Sequence, residues 1–235
     1  MTERPFIVAI DGPAGAGKST VSKLLARRLG FSLVDTGAIY RCVALAAARD
    51  GIAFDDDARL AQLLGRIEIS FAVIAEENRV FLGGEDVSAL IRTPEISMGA
   101  STVSGRRVVR EGLLALQRRL AMSAAKGAIL EGRDIGTVVF PDADVKFFLD
   151  AKPDVRARRR YEELFQKGVD SSLEHVSADQ SRRDMQDSTR EVAPLKAAED
   201  AARIDSSSMP LSEVVRTIEE HIRRRMAEHS AGSGG

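Results

Sequence analysis

The 235-residue chain has a single cysteine, Cys42, so it can neither close a disulfide within itself nor build a cysteine-rich zinc site. Cys42 is expected to be a buried packing residue in a reducing compartment. The chain also lacks a charge of one sign. Its 34 Lys and Arg against 35 Asp and Glu leave −1, so no global field draws it toward nucleic acid or an anionic membrane. Any basic site must therefore be local. No run approaches the ~20 apolar residues of a membrane span, and MTERPFIVAI has no long apolar stretch of the signal-peptide kind. A soluble, cytoplasmic protein without internal repeats is the expectation. With 44% hydrophobic residues the chain can bury one substantial core, or a core with subordinate lobes.

What the sequence does have is GPAGAGKST at 12–20. Phe6 to Ile10 before it is a continuous apolar run, as in a strand of a parallel sheet covered on both faces. After it, Val21, Leu24, Leu25 and Leu29 recur at helical spacing, and Gly30 stands where a helix usually stops. Strand, glycine loop and helix in that order separate a phosphate loop from a chance match to G-x-x-x-x-G-K-[ST], here Gly12, Gly17, Lys18 and Ser19. The glycines let backbone N–H groups turn around an anion, and the helix N-terminus adds its dipole. Gly12, Pro13, Ala14, Gly15, Ala16, Gly17, Lys18, Ser19 and Thr20 thus form the candidate ATP-binding loop. Lys18 is placed to reach the β- and γ-phosphates, and the Ser19 hydroxyl to ligate Mg²⁺.

Further strands are expected at 31–34, 128–130 and 145–149, with a weaker one near 202–204. Helices are expected over 38–49 and 153–168, and a closing one is marked by Leu211, Val214, Val215, Ile218 and Ile222. Between them Ile67, Ile69, Phe71 and Val73 alternate at period two, and Gly83-Gly84 separates two short runs, a hairpin signature. The pattern predicts an α/β fold with a mainly parallel sheet flanked by helices and a small antiparallel insert. Asp35, Arg133 and Asp134 follow expected strand ends, which puts them on the rim where ligands bind in such sheets.

A phosphate loop alone leaves GTPases, motors and kinases open. No N-K-x-D guanine-reading segment occurs, which disfavours a GTPase. Arg156, Arg158, Arg159 and Arg160 cluster on a predicted helix directly after a strand, where a closing lid could stabilise the charge of a moving phosphoryl group. A solvated basic helix is the bland alternative. Arg106, Arg107, Arg118, Arg119 and Arg223 to Arg225 leave a nucleic-acid-binding module open, although such groups are more often solvated helix faces.

Five stretches together resemble the bacterial-type cytidylate kinases: GPAGAGKST at 12–20, DTGAIYR at 35–41, GEDVSALIRTPE at 84–95, EGRDIGTVVFPDADVKFFLDA at 131–151 and RDMQDSTREVAPL at 183–195. The resemblance implies a phosphate-loop kinase with a five-stranded sheet. Its core would take 1–62, 106–155 and 185–226, a nucleotide-monophosphate insert 63–105, a helical lid 156–184 and a disordered tail 227–235. It further implies transfer of the γ-phosphoryl group of ATP to CMP or dCMP with Mg²⁺. No long exposed apolar heptad pattern appears, so a monomer that binds neither nucleic acid nor membrane is the expectation. By the same resemblance Lys18, Arg156, Arg159 and Arg160 are catalytic and Arg158 belongs to the ATP site. Ser101, Arg110 and Asp134 would read cytosine, Arg41, Arg133 and Arg190 would hold the acceptor phosphate, and Arg183 with Asp187 would touch the sugar. Asp35, Thr36 and Tyr40 would line the same pocket. A related kinase acting on UMP or a small metabolite is the nearest alternative.

Overall fold

Phe6–Asp11 (β1) is buried along its whole length, as an apolar run without alternation requires when helices cover both faces of a sheet. In this computed structural model, which describes residues 4–75, 77–166 and 168–232, β1 is the central strand of five. The others are Ser32–Asp35 (β2), Gly127–Gly132 (β6), Val145–Asp150 (β7) and Ala202–Asp205 (β8), in the order β2-β6-β1-β7-β8. β1 pairs in parallel with β6 and β7, and β7 with β8. The register sets Asp11 opposite Gly132, so the phosphate loop leaves β1 beside the point where Arg133 and Asp134 leave β6. A parallel sheet with helical crossovers, the fold class expected from the sequence, is what forms.

The chain divides into two compact units, 4–32 with 124–232, and 33–123. In the first, Lys18–Leu29 (α1) starts at Gly17 in the left-handed region (φ 94°) and ends on Gly30 (φ 68°), whose N–H donates to the Ala26 carbonyl. Pro153–Gln166 (α6) and Leu173–Thr189 (α7) pack on each other after β7. Leu211–Gly232 (α8) buries Val214, Val215, Ile218 and Ile222. Residues 227–232, expected as a disordered tail, continue α8 instead, and 233–235 lie outside the described residues.

The second unit is wider than the insert read from the sequence. Thr36–Arg49 (α2) packs on Pro94–Ser104 (α4), and Asp57–Leu64 (α3) on Arg107–Met122 (α5). α2 begins two residues earlier than its apolar pattern suggests because the Asp35 carboxylate caps it, accepting from the Ala38 N–H at 2.8 Å. Ile69–Ile74 (β3), Glu77–Leu82 (β4) and Glu85–Asp86 (β5) form an antiparallel sheet, turning at Gly83 and Gly84 as the hairpin signature predicts. Burial fades along β3. Ile69 is 6% exposed but Val73 is 75% exposed, so period-two alternation here marks a strand without a face that is buried throughout. Cys42 is buried in α2, and loss of hydration pushes its thiol up to about 12, which makes it an inert packing group.

Candidate active site

The phosphate loop holds its shape through residues that only glycine can supply. At Gly12 (φ 148°) a Cβ would collide with the Leu149 carbonyl oxygen of β7, and at Gly15 (φ 76°) it would crowd the Gln180 side chain and the backbone of Arg156. Lys18 is buried and donates from Nζ to the Pro13 carbonyl at 2.7 Å. Burial, reinforced by the Arg133 guanidinium, lowers its pKa from 10.5 to about 7 against the pull of Glu131, Asp11 and Asp187. Ser19 and Thr20 lie exposed at the first turn of α1. The Ser19 hydroxyl donates to Glu131 Oε2 at 2.8 Å. These are hard oxygen donors on the loop itself, and a donor set this small fits Mg²⁺, which keeps most of its coordination for water and phosphate.

The arginines of α6 reach the loop in different ways. Arg156 is buried. It donates to the carbonyls of Ala151 (2.9 Å) and Ala14 (3.0 Å) and pairs with Asp184 of α7 at 2.6 Å. Arg159 donates to Ser206 Oγ and its carbonyl at 3.0 and 2.6 Å, and Ser206 Oγ in turn reaches the Ala16 carbonyl at 3.3 Å. Arg160 pairs with Glu163 at the surface, and Arg158 is exposed. The i, i+4 pair Arg156 and Arg160 thus splits between a fastening of the loop and a half-exposed side chain that raises the positive potential around Arg183.

At the end of β6 the expected acceptor residues form one network. Arg133 Nε donates to Asp187 Oδ2 at 2.7 Å, Arg190 meets the other oxygen of Asp187 at 3.4 Å, and Arg190 lies 3.9 Å from buried Asp134. Arg183 is half-buried and makes no hydrogen bond or ion pair among the described residues. Burial, then Arg160, lowers its pKa against the pull of Asp179 and Asp187.

In the second unit Asp35 Oδ2 receives Arg41 at 3.1 Å, while the buried Nε of Arg41 donates to nothing among the described residues. Thr36 is buried one residue on. The Arg110 guanidinium lies over the Tyr40 ring at 5.4 Å and donates to the Ser104 carbonyl at 2.9 Å. Ser101 is half-buried one turn earlier on α4. The structure therefore brings Asp35, Thr36, Tyr40, Arg41 and Arg110 to neighbouring positions within that unit, which also holds Ser101, and brings Arg133, Asp134, Arg183, Asp187 and Arg190 together within the first.

Four side chains with a part in these networks went unassigned in the sequence reading: Asp11, Gln180, Asp184 and Ser206. Glu131 stood inside a quoted stretch without a role. Asp11 carried a signal, since it is an acid closing an otherwise apolar strand immediately before the loop. It is buried, and its two oxygens accept from the N–H groups of Ile135 and Gly136, each at 2.8 Å. Burial raises its pKa to about 6 in spite of those two bonds.

Some of the arginines that left a nucleic-acid module open carry acidic partners. Arg106 holds Asp57 through two hydrogen bonds of 2.7 Å, Arg223 pairs with Glu219 and Arg225 with Glu228. Among the described residues no helix is long and apolar enough to cross a membrane.

Residues 8–224 match the family model described as cytidylate kinase. The chain is 55% identical over 230 residues to the cytidylate kinase of Geobacter sp. (strain M21), covering 98% of each chain. It is 56% identical over 222 residues to that of Geobacter sulfurreducens, covering 94% of each. Among solved structures, a gluconokinase from Sinorhizobium meliloti 1021 is 16% identical with a TM-score of 0.49, covering 99% of each chain. With a family match across almost its whole length and relatives of this identity, the chain belongs to the cytidylate kinase family.

Proposed function

We propose that the protein transfers the γ-phosphoryl group of ATP to CMP or dCMP, giving ADP and CDP or dCDP. The observation that carries this reading is the register of β1 and β6, which brings Lys18 and Ser19 of the loop and the Arg133–Asp134 pair to one rim of the sheet. On this reading Lys18 exchanges the Pro13 carbonyl for phosphate oxygens of ATP bound along Gly12 to Thr20. Ser19, with Glu131 behind it, would hold Mg²⁺, which would supply neutralisation of phosphate charge. Arg156 and Arg159 fix the loop at Ala14 and Ala16, and Arg158 and Arg160 remain on the exposed side of α6 to meet the nucleotide.

Arg41, Arg133 and Arg190 take the acceptor phosphate, and the unsatisfied Nε of Arg41 supports that role. Arg183 with Asp187 takes the sugar, while Asp35, Thr36 and Tyr40 line the pocket. Ser101, Arg110 and Asp134 read the base: an aspartate accepts from the cytosine N4 amine, and arginine and serine donate to N3 and O2. Uracil presents the opposite pattern at N3 and O4 and would leave buried polar groups unpaired. No general base is needed, because a phosphate monoester with a second pKa near ~6 is largely dianionic at neutral pH. The enzyme acts as a cytoplasmic monomer in pyrimidine nucleotide metabolism.

The test is release of ADP from ATP and Mg²⁺ with CMP, dCMP, UMP, AMP and shikimate as acceptors. CMP or dCMP is expected to lead. Consumption of another acceptor with CMP untouched overturns the reading.

A further inference from the structure

Asp11 is a buried acid at the end of β1 whose two oxygens are both taken by backbone amides. Its Oδ1 accepts from the Ile135 N–H and its Oδ2 from the Gly136 N–H, both at 2.8 Å. Those amides open the π-helical turn Ile135–Val139, and Asp134, immediately before it, has φ −144° and ψ 23° outside that turn. The turn approaches closely: a Cβ on Gly136 would lie 3.0 Å from Lys146 Cδ and 3.5 Å from Asp11 Oδ2. A carboxylate of this length offers two acceptors to two converging donors. Asparagine offers one acceptor and would turn an NH₂ against the other amide.

We propose that Asp11 is a positioning residue for acceptor recognition: by gripping the Ile135 and Gly136 amides it sets the backbone from which Arg133 and Asp134 project, and so fixes phosphate and base contacts from the strand that also launches the phosphate loop. The inference rests on the reading of Arg133 and Asp134 as acceptor residues. It makes Asp11 an acceptor-side residue although it adjoins the donor loop in sequence. The small neighbour at 136 is the second half of the grip, since a methyl group there would crowd Lys146 Cδ and lie directly against Asp11 Oδ2, disturbing the same turn.

Asp11→Asn and Gly136→Ala, assayed beside the wild-type enzyme, test this. Both are expected to raise the KM for CMP about tenfold or more and to narrow the preference for CMP over UMP, with the KM for ATP moving less than about threefold. Gly136→Ala keeps the Asp11 charge near Lys18, so the same acceptor-selective loss in it excludes an effect of charge on the donor side. A purely structural role instead lowers the melting temperature with both KM values unchanged, and that result overturns the proposal, as does an equal loss for the two nucleotides. Where Asp11→Asn fails to fold, Gly136→Ala decides alone. Wild-type enzyme that ignores CMP removes the functional reading itself, whereas wild-type turnover with unaltered CMP kinetics in the variants removes only the grip.

Discussion

The donor loop and part of the acceptor side differ in how fully their polar groups are met. Around the loop, Lys18 is closed on Pro13, Ser19 on Glu131, Arg156 on Ala14 and Asp184, and Arg159 on Ser206. On the acceptor side Arg133 and Arg190 close on Asp187, but Arg183 makes no hydrogen bond or ion pair and Arg41 keeps a buried Nε without an acceptor, each among the described residues. A triphosphate must therefore exchange bonds the loop already makes, while a monophosphate nucleotide relieves cations left wanting. The first arrangement favours a rigid, specific seat. The second makes the acceptor side the place where apo stability is given up for binding.

The harshest challenge to this contrast is Lys18→Ala. It removes the loop's one mobile phosphate donor, and turnover is expected to fall by about a thousandfold or more. Because Lys18 is a desolvated cation, the melting temperature should stay level or rise slightly. A steady-state assay with a thermal melt checks both, and a fold that collapses would show the lysine to be structural.

Arg183→Met addresses the other side. Replacing an unpaired, half-buried guanidinium with an apolar chain of similar length should hold or raise apo stability, and should raise the KM for CMP by roughly tenfold to a hundredfold. The KM for ATP should barely move. Destabilisation without a change in CMP binding would mean that Arg183 is matched in solution, and the contrast with the loop would dissolve.

How much of this could be read in advance follows from how far apart the partners lie in the chain. Gly12 to Thr20 is one contiguous segment between a strand and a helix, so loop, fold class and candidate lysine were legible. Arg133 and Asp134 were legible as strand-end residues. The grip of Asp11 on Ile135 and Gly136 was not, because it joins positions 124 and 125 residues apart and depends on a parallel register that no local pattern encodes. Arg156 looked like its neighbours in the arginine cluster. Only the fold shows that one turn of α6 faces the loop while the next faces solvent. The extent of α8 past 226 was missed because Ala, Ser and Gly at its end carry no apolar period, although they continue a helix already packed upstream.

The contrast also has a pH signature. The Lys18 pKa lies near 7 in the free protein instead of 10.5. A triphosphate favours the charged ammonium, so binding raises that pKa. Below pH 7 the group is already protonated and affinity for ATP should be flat on its account; from about pH 7 to 9 binding must take up a proton, and affinity should fall by up to about tenfold per unit. Folding carries the matching sign: a depressed lysine pKa contributes stability that is present above 10.5 and is lost as pH falls through 7. Calorimetric titration in buffers of different ionisation enthalpy reads the proton directly. CMP, which on this reading is not held by Lys18, should show no such uptake.

The gentlest test lies outside the residues assigned to either nucleotide. Val73 on β3 is 75% exposed, and threonine keeps its β-branched shape while making its outer surface polar. If β3 faces solvent in a monomer, Val73→Thr should change stability by no more than about 0.5 kcal/mol and leave kcat and both KM values unaltered. Sedimentation of the wild-type chain and the variant over the same concentration range completes the measurement. Equal masses at the monomer value agree with the proposed state. A wild-type dimer that dissociates on this substitution would show that the apolar end of β3 is covered by a second copy, and the insert would then be an interface as well as a nucleotide lobe.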